Sequence, residues 1–154
     1  MANRRDQIRM TEEEIWKFVE ERKSLQVATL NRDGTPHLTT LWFAVVDGEI
    51  TFETFSKSQK IVNLRRDPRI AVLLEAGSDY SELRGVSING TALLHSDPEV
   101  VHRYAFAVMR RNQPDLPEGT LEAVARDMST KRTVVVVKPE KIVTWDHRKL
   151  GGSY

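Results

Sequence analysis

Between Thr54 and Leu64 the chain gathers two hydroxyls, Ser56 and Ser58, and two ammonium groups, Lys57 and Lys60, where a helical pattern begins. The alternation through Ile50-Thr51-Phe52-Glu53-Thr54-Phe55 predicts a strand running into this segment. The residues after it predict a short helix over 57–66, stopped before Pro68. The first N–H groups of a helix have no internal partner, and the helix dipole is positive at that end. Such a place binds an anion, most often a phosphate. Lys57, Lys60 and Asn63 are three apart and share one helix face, while Ile61 and Leu64 turn toward the core. That face is a candidate clamp for phosphate or carboxylate groups. A solvated lysine face with serine capping accounts for the same residues.

Other groups carry weaker chemistry. A strand over 38–46 puts Thr39, Leu41 and Phe43 on one face and Thr40, Trp42 and Ala44 on the other. Two faces this apolar suit a barrel wall, or a wall for a flat heteroaromatic ring. The end of the chain, from Trp145 through His147 and Lys149 to Tyr154, is polar and aromatic, and either frays or reaches into a site. His37, His95, His102 and His147 lack metal-like spacing, and no metal is expected. Ser56 and Ser58 have no His/Asp pattern for a hydrolase triad.

Length and composition bound the rest. At 154 residues the chain predicts one domain over 11–150, preceded by a tail over 1–10. Charged residues make up 29% yet leave a net charge of +1, which argues against a nucleic-acid partner. The absence of cysteine excludes disulfides and thiolate chemistry. No apolar run approaches a membrane span, and no apolar signal core follows Arg4 and Arg5, so a cytoplasmic protein without a membrane partner is expected.

The elements that must position these groups follow from patterning. Thr11 and Glu14 fit a capping box for a helix reaching about Lys23. Strands are expected over 25–30, from 37 to 46, over 49–55, 69–76 and 84–95, and over 133–137 and 141–145, the last two separated by Pro139. Asp47-Gly48 is a hairpin turn, and Gly85 and Gly90 suggest bulges or close approach. Asp97-Pro98 starts a late helix, and Thr120 caps another. The strands do not alternate with helices, and no Gly-rich dinucleotide fingerprint or P-loop is present. A mainly β (α+β) fold follows: an antiparallel barrel of six or seven strands with flanking helices.

Taken in order, Val27-Ala28-Thr29-Leu30, Asp33-Gly34-Thr35-Pro36-His37, Leu41-Trp42-Phe43, Ser56-Lys57-Ser58-Gln59-Lys60 with Asn63-Leu64-Arg65-Arg66-Asp67-Pro68-Arg69, Leu83-Arg84-Gly85-Val86 and Gly90-Thr91-Ala92 resemble a known family. It is the pyridoxamine 5′-phosphate oxidase-like, FMN-binding-like split β-barrel superfamily, and within it the deazaflavin reductases that use coenzyme F420. The resemblance implies a homodimer with cofactor sites at the interface and a small-molecule substrate such as a quinone, enone or biliverdin-like compound. It implies that Ser56, Lys57, Lys60 and Asn63 grip the cofactor phosphate. The ring would lie against Thr39, Thr40, Leu41 and Trp42, with Thr54 and Phe55 adjoining. Trp145, His147 and Lys149 would provide cover from the partner subunit. Hydride would pass from the cofactor C5, with no catalytic side chain assigned. FMN in the same fold is an alternative. So is a non-catalytic haem- or tetrapyrrole-binding protein with His37 or His147 as ligand.

Overall fold

A computed structural model describes residues 3–152. Five helices, α1 (Arg4–Gln7), α2 (Glu12–Glu21), α3 (Gln59–Arg66), α4 (Pro98–Asn112) and α5 (Glu118–Met128), flank seven strands. These are β1 (Ser24–Leu30), β2 (Pro36–Trp42), β3 (Ala44–Val46), β4 (Glu49–Phe55), β5 (Arg69–Ala76), β6 (Arg84–His95) and β7 (Arg132–Asp146).

All strand pairings are antiparallel, in the order β2-β1-β5-β6-β7-β4-β3. The two edge strands of that order, β2 and β3, are separated in sequence by Phe43 alone. One residue cannot bridge the width of a flat seven-stranded sheet, so the sheet must curl until its edges meet. Phe43 turns the corner with no exposure, among Leu25, Phe52, Ile61 and Leu74 in the barrel core. The long stretch expected as one strand is therefore two, and the break places Phe43 and Ala44 both inside, out of the expected alternation.

The hairpin at Asp47-Gly48 forms as expected, with φ of 53° and 77°. Thr11 opens α2 through the reciprocal capping box, Thr11 N–H donating to Glu14 and Glu14 N–H to the Thr11 hydroxyl. The helix ends two residues earlier than expected, at Glu21. The last two expected strands are one. Pro139 sits opposite Gly90, where the register shifts by a bulge, and a Cβ on Gly90 would overlap the Lys138 carbonyl. Helix α5 starts after Pro117, without a side-chain cap from Thr120.

The segment expected as a tail is docked. Asp146 N–H donates to the Ile8 carbonyl at 2.7 Å and Met10 N–H to Thr144 Oγ1 at 3.0 Å. These bonds tie residues 8–10 to the end of β7, on the side not paired with β6, and Met10 enters the core. Met1, Ala2, Ser153 and Tyr154, the ends of the two expected tails, lie outside the described residues. Among the described residues no helix is long and apolar enough to cross a membrane.

Candidate functional site

Strand β4 delivers Thr54 and Phe55 to the start of α3. Ser58 is the N-cap, its hydroxyl accepting from Ile61 N–H at 3.5 Å. Lys57 therefore precedes the helix, in the turn, rather than lying on its face, while Lys60 sits in the first helical turn. Lys57 is exposed; Lys60 is half-buried, and burial lowers its ammonium pKa. Three other cations are matched: Arg132 pairs with Glu53, Arg69 with Asp67 and Arg148 with Asp146. Among the described residues no ion pair holds Lys57 or Lys60.

Ser56 turns into the structure. Its hydroxyl meets Thr133 Oγ1 at 2.8 Å, and that oxygen meets Ser96 Oγ at 3.1 Å. Thr54, beside it in sequence, is buried. Phe55 is 55% exposed, yet its ring carries the Arg132 guanidinium at 4.0 Å from the centroid. Arg65 reaches back to donate to the Ser56 carbonyl at 3.3 Å. The cradle thus has two cations, Arg65 and Arg132, beyond those read from the sequence. Arg65 is five residues beyond Lys60 in the sequence. Arg132 reaches Phe55 only through the pairing of β4 with β7, which no local spacing reveals.

Asn63 differs from expectation. It is fully buried and donates to Thr29 Oγ1 and Asn31 Oδ1, both at 3.0 Å, while its oxygen accepts from Gln59 at 2.8 Å and Arg66 at 3.3 Å. Both donors and both lone pairs of the amide are committed, so it fixes α3 to β1 and does not present itself to an anion.

Strand β2 divides the expected ring wall. Thr39 and Leu41 are half-buried on the inner face, and Thr40 and Trp42 are exposed on the outer one. A single flat ring cannot lie against all four within one chain. On the inner face two shielded atoms have no hydrogen-bond partner among the described residues: Thr39 Oγ1 and His37 Nδ1. His37 is opposite Thr29, the residue that holds Asn63, so this strand lies next to the anchor of α3.

Trp145, His147 and Lys149 are not brought to the cradle within the chain. Arg132, at the start of β7, pairs with Phe55, whereas Trp145 is near its far end, roughly 40 Å of extended strand away. Lys149 is committed to the Arg9 carbonyl at 2.7 Å and to Glu14 at 2.6 Å. His147 Nδ1 meets the Tyr80 carbonyl at 2.8 Å. Among the described residues no group of three His, Cys, Asp or Glu side chains is arranged to hold a metal ion.

The sequence profile of the pyridoxamine 5′-phosphate oxidase family matches residues 11–146. A conserved hypothetical protein of Mycobacterium tuberculosis, Rv2991, has a crystal structure 43% identical in sequence, with a TM-score of 0.91 over 99% of this chain and 95% of that one. A structure described as an F420 reductase is 22% identical, with a TM-score of 0.65, covering 82% and 93% of the two chains. HutZ, described as the heme storage protein of Vibrio cholerae, is 18% identical, with a TM-score of 0.65 over 86% and 94%. At these lower identities the likeness is one of fold. No curated protein matches the chain.

Proposed function

Because the chain belongs to the pyridoxamine 5′-phosphate oxidase family, we propose that it is an oxidoreductase that passes a hydride from reduced coenzyme F420 to a small unsaturated or conjugated acceptor. The observation that carries this reading is the unpaired state of Lys57 and Lys60 where α3 begins. A partly desolvated ammonium without a counter-charge is unfavourable until an anion arrives. The two lysines, the open N–H groups of the first helical turn and the nearby Arg65 and Arg132 fit a phosphate-bearing cofactor tail. The F420 reductase of the same fold supports deazaflavin as the ring on that tail.

When bound, the cofactor supplies the hydride chemistry at its ring. The chain supplies position. Lys57 and Lys60 hold the tail, Ser56 stiffens the turn through Thr133, and Thr54 and Phe55 border the ring. The Thr39 hydroxyl, unpaired beside Leu41 on the inner face, offers a hydrogen bond that orients a ring. No side chain is assigned as an acid; the substrate side of the ring needs apolar shelter and exclusion of water.

The reading includes a homodimer. The outer sheet face presents Leu38, Trp42 and Val143 at 69%, 43% and 48% exposure; Leu38 and Trp42 flank Thr40, which lies in one row with Gln26, Leu73, Ser87 and Val143. A second copy covering this face would bring Thr40 and Trp42, and the partner's Trp145 and His147, toward the shared site. A monomer by light scattering at micromolar concentration would remove this part of the proposal.

Two other occupants share the support. FMN also carries a phosphate on its ribityl chain, a terminal monoester that the two lysines would suit as well. Haem is favoured by the unpartnered Nδ1 of His37 and by the haem-storing relative of the same fold. Parallel titration of the purified protein with F420, FMN and haem tests the choice: F420 should bind most tightly. A yellow protein that retains FMN, or a Soret band on adding haem with no F420 binding, would overturn it.

A further inference from the structure

We infer that the mouth of the barrel beneath α2 binds a small uncharged molecule built on a single aromatic or alicyclic ring. The site lies within one chain and needs neither the proposed cofactor nor a second copy.

The pocket starts from the irregular pairing of β6 with β7. Gly90 is opposite Pro139 and Asn89 opposite Lys141, so Glu140 is left out of the ladder and β7 bends there. Helix α2 lies across the opening and closes it only in part. Ile15, Trp16 and Val19 form one wall, and Ile50, Ile88 and Val137 form the floor. The space between them is about 170 Å³. Ile142 marks where the helix leaves it unfilled. This side chain is opposite the buried Ile88, on the inner side of the sheet, yet is 47% exposed. Trp16, at the other lip, is exposed as well.

Alternation along β7 separates this site from the face proposed for the second copy. Ile142 points inward with Ile88, so Val143 points outward with Ser87, and Trp145 follows Val143. The pocket meets β4 at Glu49 and Ile50. The Lys57–Lys60 cradle lies past the other end of that strand, roughly 20 Å of extended chain away.

The lining selects against charge. Glu49 is its one charged residue, and Lys138 donates to that carboxylate at 2.8 Å. None of the shielded polar atoms left without a partner among the described residues belongs to the lining. A charged ligand would lose its hydration here and find no counter-charge. An uncharged apolar one covers Trp16 and Ile142 from water. A dry apolar cavity of about 150 Å³ takes up benzene, so the volume suits one ring. Most of the wall is isoleucine and valine, whose branched side chains have few rotamers, and its shape is set before a ligand arrives. A ring has no rotatable bonds to lose there, which favours it over a flexible chain of the same volume.

The test is calorimetric titration of the full chain with toluene and with benzoate, its charged counterpart. Toluene should bind saturably below its solubility limit, and benzoate at least about tenfold more weakly. Ile142→Trp, which puts an indole into the mouth from an exposed position, should weaken toluene about tenfold or more. Trp16→Ala, which removes part of one wall, should weaken it as well. Lys57→Ala with Lys60→Ala, and Leu38→Ala on the outer face, should leave it unchanged. A thermal scan gives a second reading: toluene should raise the melting temperature of the parent and not that of Ile142→Trp. Absence of saturable toluene binding, benzoate bound as tightly, toluene affinity untouched in either mouth variant, or affinity lost in the Lys57/Lys60 or Leu38 variants would each overturn the inference. Circular dichroism and light scattering on every variant establish that fold and oligomeric state are those of the parent.

Discussion

Asn63 of α3 donates to the hydroxyl of Thr29 on β1 at 3.0 Å, and both side chains are buried. That bond joins the helix carrying Lys60 to β1, next to the edge strand β2. The position of the ammonium group is thus set from beneath, by an amide whose donors and acceptor are engaged within the chain.

Asn63→Ala strands Thr29, Asn31 and Gln59 at once. A buried polar group left unpaired costs about 1–3 kcal/mol. The urea midpoint should fall by an amount in that range, with the slope unchanged. Cofactor affinity should fall as well, because Lys60 loses its footing. An unaltered midpoint would show that α3 is held by Ile61 and Leu64 alone.

Thr39→Val separates a ligand role from a structural one. The hydroxyl is shielded and unpaired, so replacing it with a methyl of similar shape removes a burial cost and should hold or raise thermal stability. If the hydroxyl serves the bound ring, affinity falls by roughly three- to tenfold, one neutral hydrogen bond's worth. A stable variant with undiminished affinity would take Thr39 out of the site.

Gly85→Ala forces the Trp145 indole off β6. Overpacking of this kind costs about 1–3 kcal/mol. Near-ultraviolet circular dichroism should change in the tryptophan region while the far-ultraviolet spectrum stays. A silent substitution would mean that the indole is mobile.

Acid should loosen the end of β7. The Arg148 guanidinium, and then the Arg148 backbone N–H, hold the Asp146 carboxyl below its ordinary pKa against the opposing effect of burial. A depressed carboxylate pKa contributes stability that is full above the unfolded value of about 3.9 and is lost as pH falls through the lower folded value. Asp146 N–H also anchors Ile8, so amide exchange at residues 8–10 and 144–148 should accelerate below about pH 4 before the barrel opens. Asp146→Asn should show the faster exchange already at neutral pH.

Much of the fold was legible because its signals are local. The capping box at Thr11, the Asp47-Gly48 hairpin and the bulge glycine at position 90 each rest on a few adjacent residues, and each is where patterning put it. The cradle was half legible for the same reason. Ser58, Lys57 and Lys60 are adjacent in sequence, though their division between turn and helix depends on which serine caps. What patterning missed is long-range. Asn63 looked like a ligand because it is polar at helical spacing, and only the approach of Thr29 and Asn31 buries it. Arg132 joins Phe55 through strand pairing. The apparent strand across Phe43 conceals the barrel corner, because a corner at an apolar residue carries no turn chemistry.

The measurement nearest the central claim is a fluorescence titration of coenzyme F420 against the parent and against Lys57→Ala with Lys60→Ala. Two charge-assisted contacts, one of them from the exposed Lys57 and weakened by solvent, together amount to about 1.5–4 kcal/mol and predict a loss of roughly ten- to a thousandfold. The parent should bind saturably, and the double variant, with an unchanged circular dichroism spectrum, should bind that much more weakly. Equal affinity in the two proteins, or no binding by the parent, would contradict the account.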